Sequence, residues 1–170
     1  SMLAGGKAFS APPEILGRPL GGPTLGCVCA PITGKTVREC LQDGGLQAQA
    51  IITTVKRLKQ DSLLSTFADQ TALPEACGCE LSMTENTVPL IRTRVAKTED
   101  DIDGLKVPNP RRDGRLPQFL KCTRLVSEYF TLPVGGLVPG PFTFAAQLGG
   151  IELVAKKALA DPPFMRKLMD

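Results

Sequence analysis

Leu132-Pro133-Val134-Gly135-Gly136-Leu137-Val138-Pro139-Gly140-Pro141-Phe142-Thr143-Phe144-Ala145-Ala146-Gln147-Leu148-Gly149-Gly150 changes character twice along its length. It opens as a short apolar run containing glycine, the pattern of a strand buried on both faces. Pro139-Gly140-Pro141 breaks that strand, because proline cannot donate to a ladder and glycine allows a sharp turn. Thr143 can cap a helix over Phe144 to Leu148, and Gly149-Gly150 stop it. A buried strand, a tight loop and a helix make one β/α unit, and such folds keep their sites in the loop at the strand's C-terminal end.

The same alternation extends on both sides. Residues 1–21, rich in Gly, Ala and Pro, read as an irregular lead-in, and 22–170 as one domain. Thr24 to Ala30 is a strand candidate ended by Pro31. Lys35 to Leu41 is a short helix capped by Thr33 and interrupted by Asp43-Gly44-Gly45. Leu46 to Gln60 is an amphipathic helix with Leu46, Ala50, Ile51, Val55 and Leu58 on one face. Asp61 to Asp69 is a second buried strand ending in a carboxylate, and Thr71 to Cys77 a helix entered through Pro74 and stopped at Gly78. Glu80 to Met83 and Leu90 to Val95 form an antiparallel excursion. Thr98 opens a short acidic helix, and Pro117 to Phe130, Ile151 to Leu159 and Pro162 to Met169 are further helices. Apolar strands alternating with helices predict an α/β fold with a parallel sheet. About three core strands are present where a closed barrel needs about eight.

Composition narrows the function. The chain has 170 residues, 42% of them hydrophobic, with a net charge of +3 and only 5% aromatic residues. No basic stripe or stacking platform for nucleic acid emerges. No apolar run reaches membrane-spanning length and no signal-peptide layout opens the chain, so the expected location is cytoplasmic. The six cysteines then read as reduced thiols. Cys27/Cys29 and Cys77/Cys79 form two Cys-x-Cys pairs, a spacing poor for structural zinc and compatible with apolar packing. There is no histidine, which removes the commonest general base and metal ligand.

Gly140-Pro141-Phe142-Thr143 with Ala146-Gln147-Leu148 resembles the uroporphyrinogen decarboxylase superfamily, and most of all its methylcobamide:coenzyme M methyltransferase branch. Phe67 to Leu81, in which a strand ends in Asp69 and a helix closes on Ala76-Cys77-Gly78, resembles the same superfamily, as does Asp113-Gly114-Arg115-Leu116-Pro117 entering a helix. Together these cover most of residues 17–170. The resemblance implies the N-terminal half of a TIM (β/α)8 barrel with a small antiparallel hairpin. It implies Asp69 as the catalytic carboxylate, which in the decarboxylases hydrogen-bonds pyrrole nitrogens at the barrel mouth. The alternative for Asp69 is an N-cap of the next helix. Gln147, Glu75, Phe142 and Thr143 are the expected substrate-binding residues.

Two departures bear on the reaction. The decarboxylases carry a substrate-holding arginine near the N-terminus, where this chain has Gly26-Cys27-Val28-Cys29-Ala30-Pro31-Ile32, and their substrate tyrosine is matched by Gln147. Buried anions need paired cations, so a polycarboxylate porphyrinogen is disfavoured. The methyltransferase branch lacks those arginines too. It moves methyl from a methylated corrinoid protein to a thiol such as coenzyme M, using zinc held in the second half of the barrel. The expectation is therefore no metal or cofactor in this chain, with zinc and a corrinoid in the complete enzyme. The expected partners are a corrinoid protein and either a second copy or a complementary C-terminal half. Uroporphyrinogen decarboxylation, and a non-catalytic half-barrel that binds a partner chain, are the alternatives.

Overall fold

A computed structural model of the chain describes residues 24–60, 63, 64, 67, 69–131 and 134–169. The expected lead-in over 1–21 lies outside the described residues, as does part of the second strand candidate.

The first expected strand is a helix. Gly26–Thr33 winds as a 3₁₀ helix, closed by Gly34 at φ +70°, whose N–H reaches the Pro31 carbonyl at 3.0 Å. The apolar run encodes burial, with Cys29 and Ala30 sealed from solvent, but burial alone does not choose between strand and helix over so short a stretch. Helix α1 (Val37–Gln42) is capped by Thr36 rather than Thr33. Thr36 and Glu39 form a reciprocal capping box, while the Thr33 hydroxyl turns back to donate to the Ala30 carbonyl. Asp43 ends α1 and caps α2 (Gly44–Leu58) by accepting from Gly45 N–H at 2.7 Å, so Gly44-Gly45 begin a helix instead of breaking one.

Strand β1 (Leu63–Leu64) leads through Asp69 to α3 (Ala72–Ala76). An antiparallel hairpin follows, β2 (Glu80–Ser82) against β3 (Leu90–Thr93), then α4 (Glu99–Gly104) behind a Thr98–Asp101 capping box. Helix α5 (Leu116–Tyr129) carries Pro117 in its first turn, and its chain returns as β4 (Val134–Gly135). β4 pairs with β1 in parallel, Leu63 opposite Val134 and Leu64 opposite Gly135. Helices α6 (Pro141–Gly149), α7 (Ile151–Ala160) and α8 (Pro162–Met169) complete the order. α6 starts earlier than the sequence implies. Pro141, with φ preset and no N–H to satisfy, takes its first position behind Gly140, which leaves Thr143 exposed inside the helix and not at its cap.

Among the described residues these elements bury two apolar clusters. One gathers the 3₁₀ helix, α1, α2 and α5 around Cys29, Leu41, Ile51, Phe67, Cys122 and Val126. The other gathers α6, α7 and α8 around Cys79, Ala96, Leu148, Val154 and Phe164. Helices α2 and α5 meet at Gly44, where a Cβ would lie 2.2 Å from the Gln118 carbonyl oxygen, and the Gly44 N–H donates to the Gln118 side chain at 3.0 Å. Gly44→Ala is therefore expected to lower stability by about 1–3 kcal/mol or more through forced separation of the two helices. Gly104→Ala, which meets nothing within 4 Å, is expected to be neutral or stabilising by up to about 1 kcal/mol. Urea denaturation midpoints of the two variants check the contrast.

Candidate functional site

The loops that leave the C-terminal ends of β1 and β4 face one cleft of about 720 Å³. Asp69 and Gln70 follow β1, while Gly136 to Pro139 follow β4. Leu116, Phe119 and Leu120 from α5, Phe144 and Leu148 from α6, and the segment from Leu105 to Pro108 complete most of an apolar wall. Its cations, among the described residues, are Lys106 and Lys167, and Lys167 is already paired with Asp103 at 2.7 Å.

At the edge of this wall sits a buried charge cluster. Asp69, with its side chain 1% exposed, takes the Arg115 guanidinium Nη1 on Oδ2 at 2.6 Å. Its Oδ1 accepts from the Thr71 N–H at 2.8 Å and from the Thr71 hydroxyl at 2.6 Å. Arg115 Nε donates to Glu75 Oε2 at 2.6 Å, and Nη2 to the Thr71 hydroxyl at 3.0 Å. The guanidinium also lies 5.9 Å from the centre of the Phe119 ring, within cation–π range. Local sequence delivers it. Gly114, at φ +53°, turns the chain against Ala76 of α3, so Arg115 enters at the foot of α5 directly over Glu75 and Asp69. One arginine thus joins the loop after β1, helix α3 and the start of α5.

Of the residues expected from sequence, Asp69 lines the cleft. Glu75, 27% exposed, is held by Arg115 and lies off the lining. On α6 the cleft receives Phe144 and Leu148, four residues apart on one face. Phe142, half exposed, Thr143 and Gln147 lie off the lining, and the buried Oε1 of Gln147 has no hydrogen-bond partner among the described residues. As for the alternative role of Asp69, it accepts from Thr71 N–H just ahead of α3, an Asx-type turn leading into the helix, and Thr71 occupies the cap position itself. Arg115 was visible in the sequence only as part of the helix-entry motif. Nothing local ties it to a carboxylate 46 residues earlier.

The cysteine pairs are separated. Cys29 belongs to the first apolar cluster and Cys79 to the second, and Cys27 and Cys29 lie on a 3₁₀ helix, not on one face of a strand. Among the described residues no three Cys, Asp or Glu side chains converge as a metal ion would require. Burial pushes the Cys122 thiol up to about 12. Burial, reinforced by the Asp69 charge, pushes Cys27 up to about 11. Both are thiols at neutral pH and poor nucleophiles.

In outline, parallel strands joined through helices, with a cleft at the strands' C-terminal ends, are the architecture of a partial TIM barrel. The uroporphyrinogen decarboxylase (URO-D) family model matches residues 3–170, and the chain belongs to that family. A methyltransferase from Methanosarcina mazei has a similar fold, with a TM-score of 0.75 and 21% sequence identity over 85% of this chain. The chain spans 43% of that protein's length. No curated protein matches it.

Two outcomes follow from this geometry. Arg115→Met leaves the buried Asp69 and the partly exposed Glu75 without their cation, and is expected to cost about 3 kcal/mol or more in chemical denaturation. The cysteines give a pH dependence. In the folded chain Cys27 and Cys122 keep protons that the unfolded chain releases above the ordinary thiol value of 9.0. Their contribution to stability is therefore complete below pH 9 and falls as pH rises towards 11 and 12. The fall between pH 9 and 11 is expected to be shallower in Cys122→Ala, read from denaturation curves across that range.

Proposed function

We propose that this chain is the N-terminal portion of a methyltransferase that moves methyl from a methylated corrinoid protein to a thiol such as coenzyme M. The observation that carries the reading is the commitment of the buried arginine. Arg115 gives its Nη1 and Nε to Asp69 and Glu75, and so offers no charge to a substrate carboxylate. A porphyrinogen bearing many carboxylates would meet a mostly apolar wall with one lysine already paired, a costly arrangement for buried anions. A macrocycle that presents an apolar face meets a complementary one. The similar fold of the Methanosarcina mazei methyltransferase supports the same direction.

In this reading the chain's own residues bind and orient. Phe119, Leu120, Leu137 and Phe144 exclude water from one side of the cleft, and the Asp69–Arg115–Glu75 cluster keeps its edge rigid. A corrinoid would lie against those apolar walls and supply the methyl group. Among the described residues no donor set fits zinc, and in this reading activation of the thiol falls to a complementary C-terminal half, with a second copy of this chain as the other candidate for covering the cleft. The test is demethylation of methylcobalamin in the presence of coenzyme M, followed by absorbance. Turnover is expected when a polypeptide carrying the rest of the barrel is added, and its loss on chelation. Zinc-independent turnover, or decarboxylation of uroporphyrinogen by the same mixture, would contradict the reading.

A further inference from the structure

We propose that the cleft selects an amphiphile with a single anionic group, and that Lys106 is the residue that sets this specificity. The ligand lays an apolar body against the wall and turns one sulfonate, carboxylate or phosphate ester to the Lys106 ammonium. This rests on the reading that the cleft receives an apolar ligand face, and adds to it the charge which that ligand carries.

The charges on the lining decide the sign and the number. Asp69 is neutralised by Arg115 at 2.6 Å, and Lys167 by Asp103 at 2.7 Å. Lys106 lines the cleft, is exposed, and among the described residues has no carboxylate within ion-pair distance. Asp103, the acid three residues before it, is the one that Lys167 has taken. One unpaired positive charge on an otherwise apolar cleft of about 720 Å³ calls for one negative charge on the ligand. An ammonium is a point charge on a flexible stem, so it meets any of the three anions without a fixed geometry.

The chain holds Lys106 at the cleft. Helix α4 ends at Gly104, and the Leu105 N–H closes on the Ile102 carbonyl at 3.1 Å. Three residues beyond Lys106, the Asn109 N–H donates to the Asp113 carboxylate at 2.6 Å. Between these two ties the residues from Leu105 to Pro108 all line the cleft. Val107, next to the lysine, is 96% exposed, and Val138, after β4, is 79% exposed. Both are on the lining, so open hydrocarbon stands beside the cation, and an apolar body laid over it is stabilised by the surface it removes from water.

The dyes anilinonaphthalene sulfonate and phenylnaphthylamine share one aromatic body, and only the first carries a charge. An apolar surface without a cation favours the neutral dye, because the sulfonate must be drawn out of water. Binding of each to the 170-residue chain is read by fluorescence titration. The unmodified chain is expected to bind the sulfonate more tightly by about threefold or more, with a margin that shrinks as ionic strength rises. Lys106→Met keeps the apolar stem and removes the charge. It is expected to weaken the sulfonate by about threefold or more and leave the neutral dye unchanged, whereas Lys106→Arg keeps the preference. A preference that persists in Lys106→Met would overturn the assignment to Lys106, as would an equal loss of both dyes in that variant. Tighter binding of the neutral dye by the unmodified chain would overturn the charge rule. Each of these leaves the apolar reading of the cleft in place. Binding of neither dye would overturn that reading, and this inference with it.

Discussion

A guanidinium taken out of water must find partners for its N–H groups, and Arg115 finds them on the loop after β1 and on α3. Asp69 lies beyond β1, Glu75 on α3, and Thr71 between them, while Arg115 itself opens α5. The desolvation of these groups is repaid only if all of them are in place at once. The position of α5 over the strand ends is thereby fixed by charge as well as by hydrocarbon. The wall of the cleft that Leu116 and Phe119 provide follows from that placement. Such a cluster contributes little net stability against a well-packed apolar substitute, and its value lies in holding a single arrangement.

Around this anchor the packing is close where glycine permits it. Gly44 lets α2 touch the backbone of α5, and Gly149 lets the end of α6 approach Ala96, whose carbonyl oxygen would lie 2.6 Å from an added Cβ. The Leu148 carbonyl accepts from both Val95 and Ala96 N–H groups at that point, which ties the hairpin's exit to α6. The cleft lies between the two apolar clusters so formed. Its apolar lining is what a β/α barrel mouth presents when its strands' C-terminal loops carry few charges.

The helices and the β/α alternation were legible in the sequence because their signals are local: Pro117 at the start of α5, the Thr98–Asp101 box, and the apolar face of α2. The 3₁₀ helix at Gly26–Thr33 was not, since Gly-Cys-Val-Cys-Ala-Pro is apolar in either conformation. The start of α6 was misjudged because Thr143 offers a capping side chain that Pro141, two residues earlier, makes unnecessary. The Asp69 strand end could be read from its family resemblance, and it does reach the cleft. Arg115 could not be assigned, because its role depends on a contact between distant segments. Phe144 and Leu148 were missed as wall residues for a related reason: which face of α6 meets the cleft is set by where the helix begins.

The coupling energy between Arg115 and Asp69 tests the central claim most directly. It is obtained from the unfolding free energies of Arg115→Met, Asp69→Asn and the double variant. Coupling of about 2 kcal/mol or more is predicted, with the double variant markedly less damaged than the sum of the single ones. Additivity within about 0.5 kcal/mol would contradict it, and would mean that the two residues do not hold one another in place.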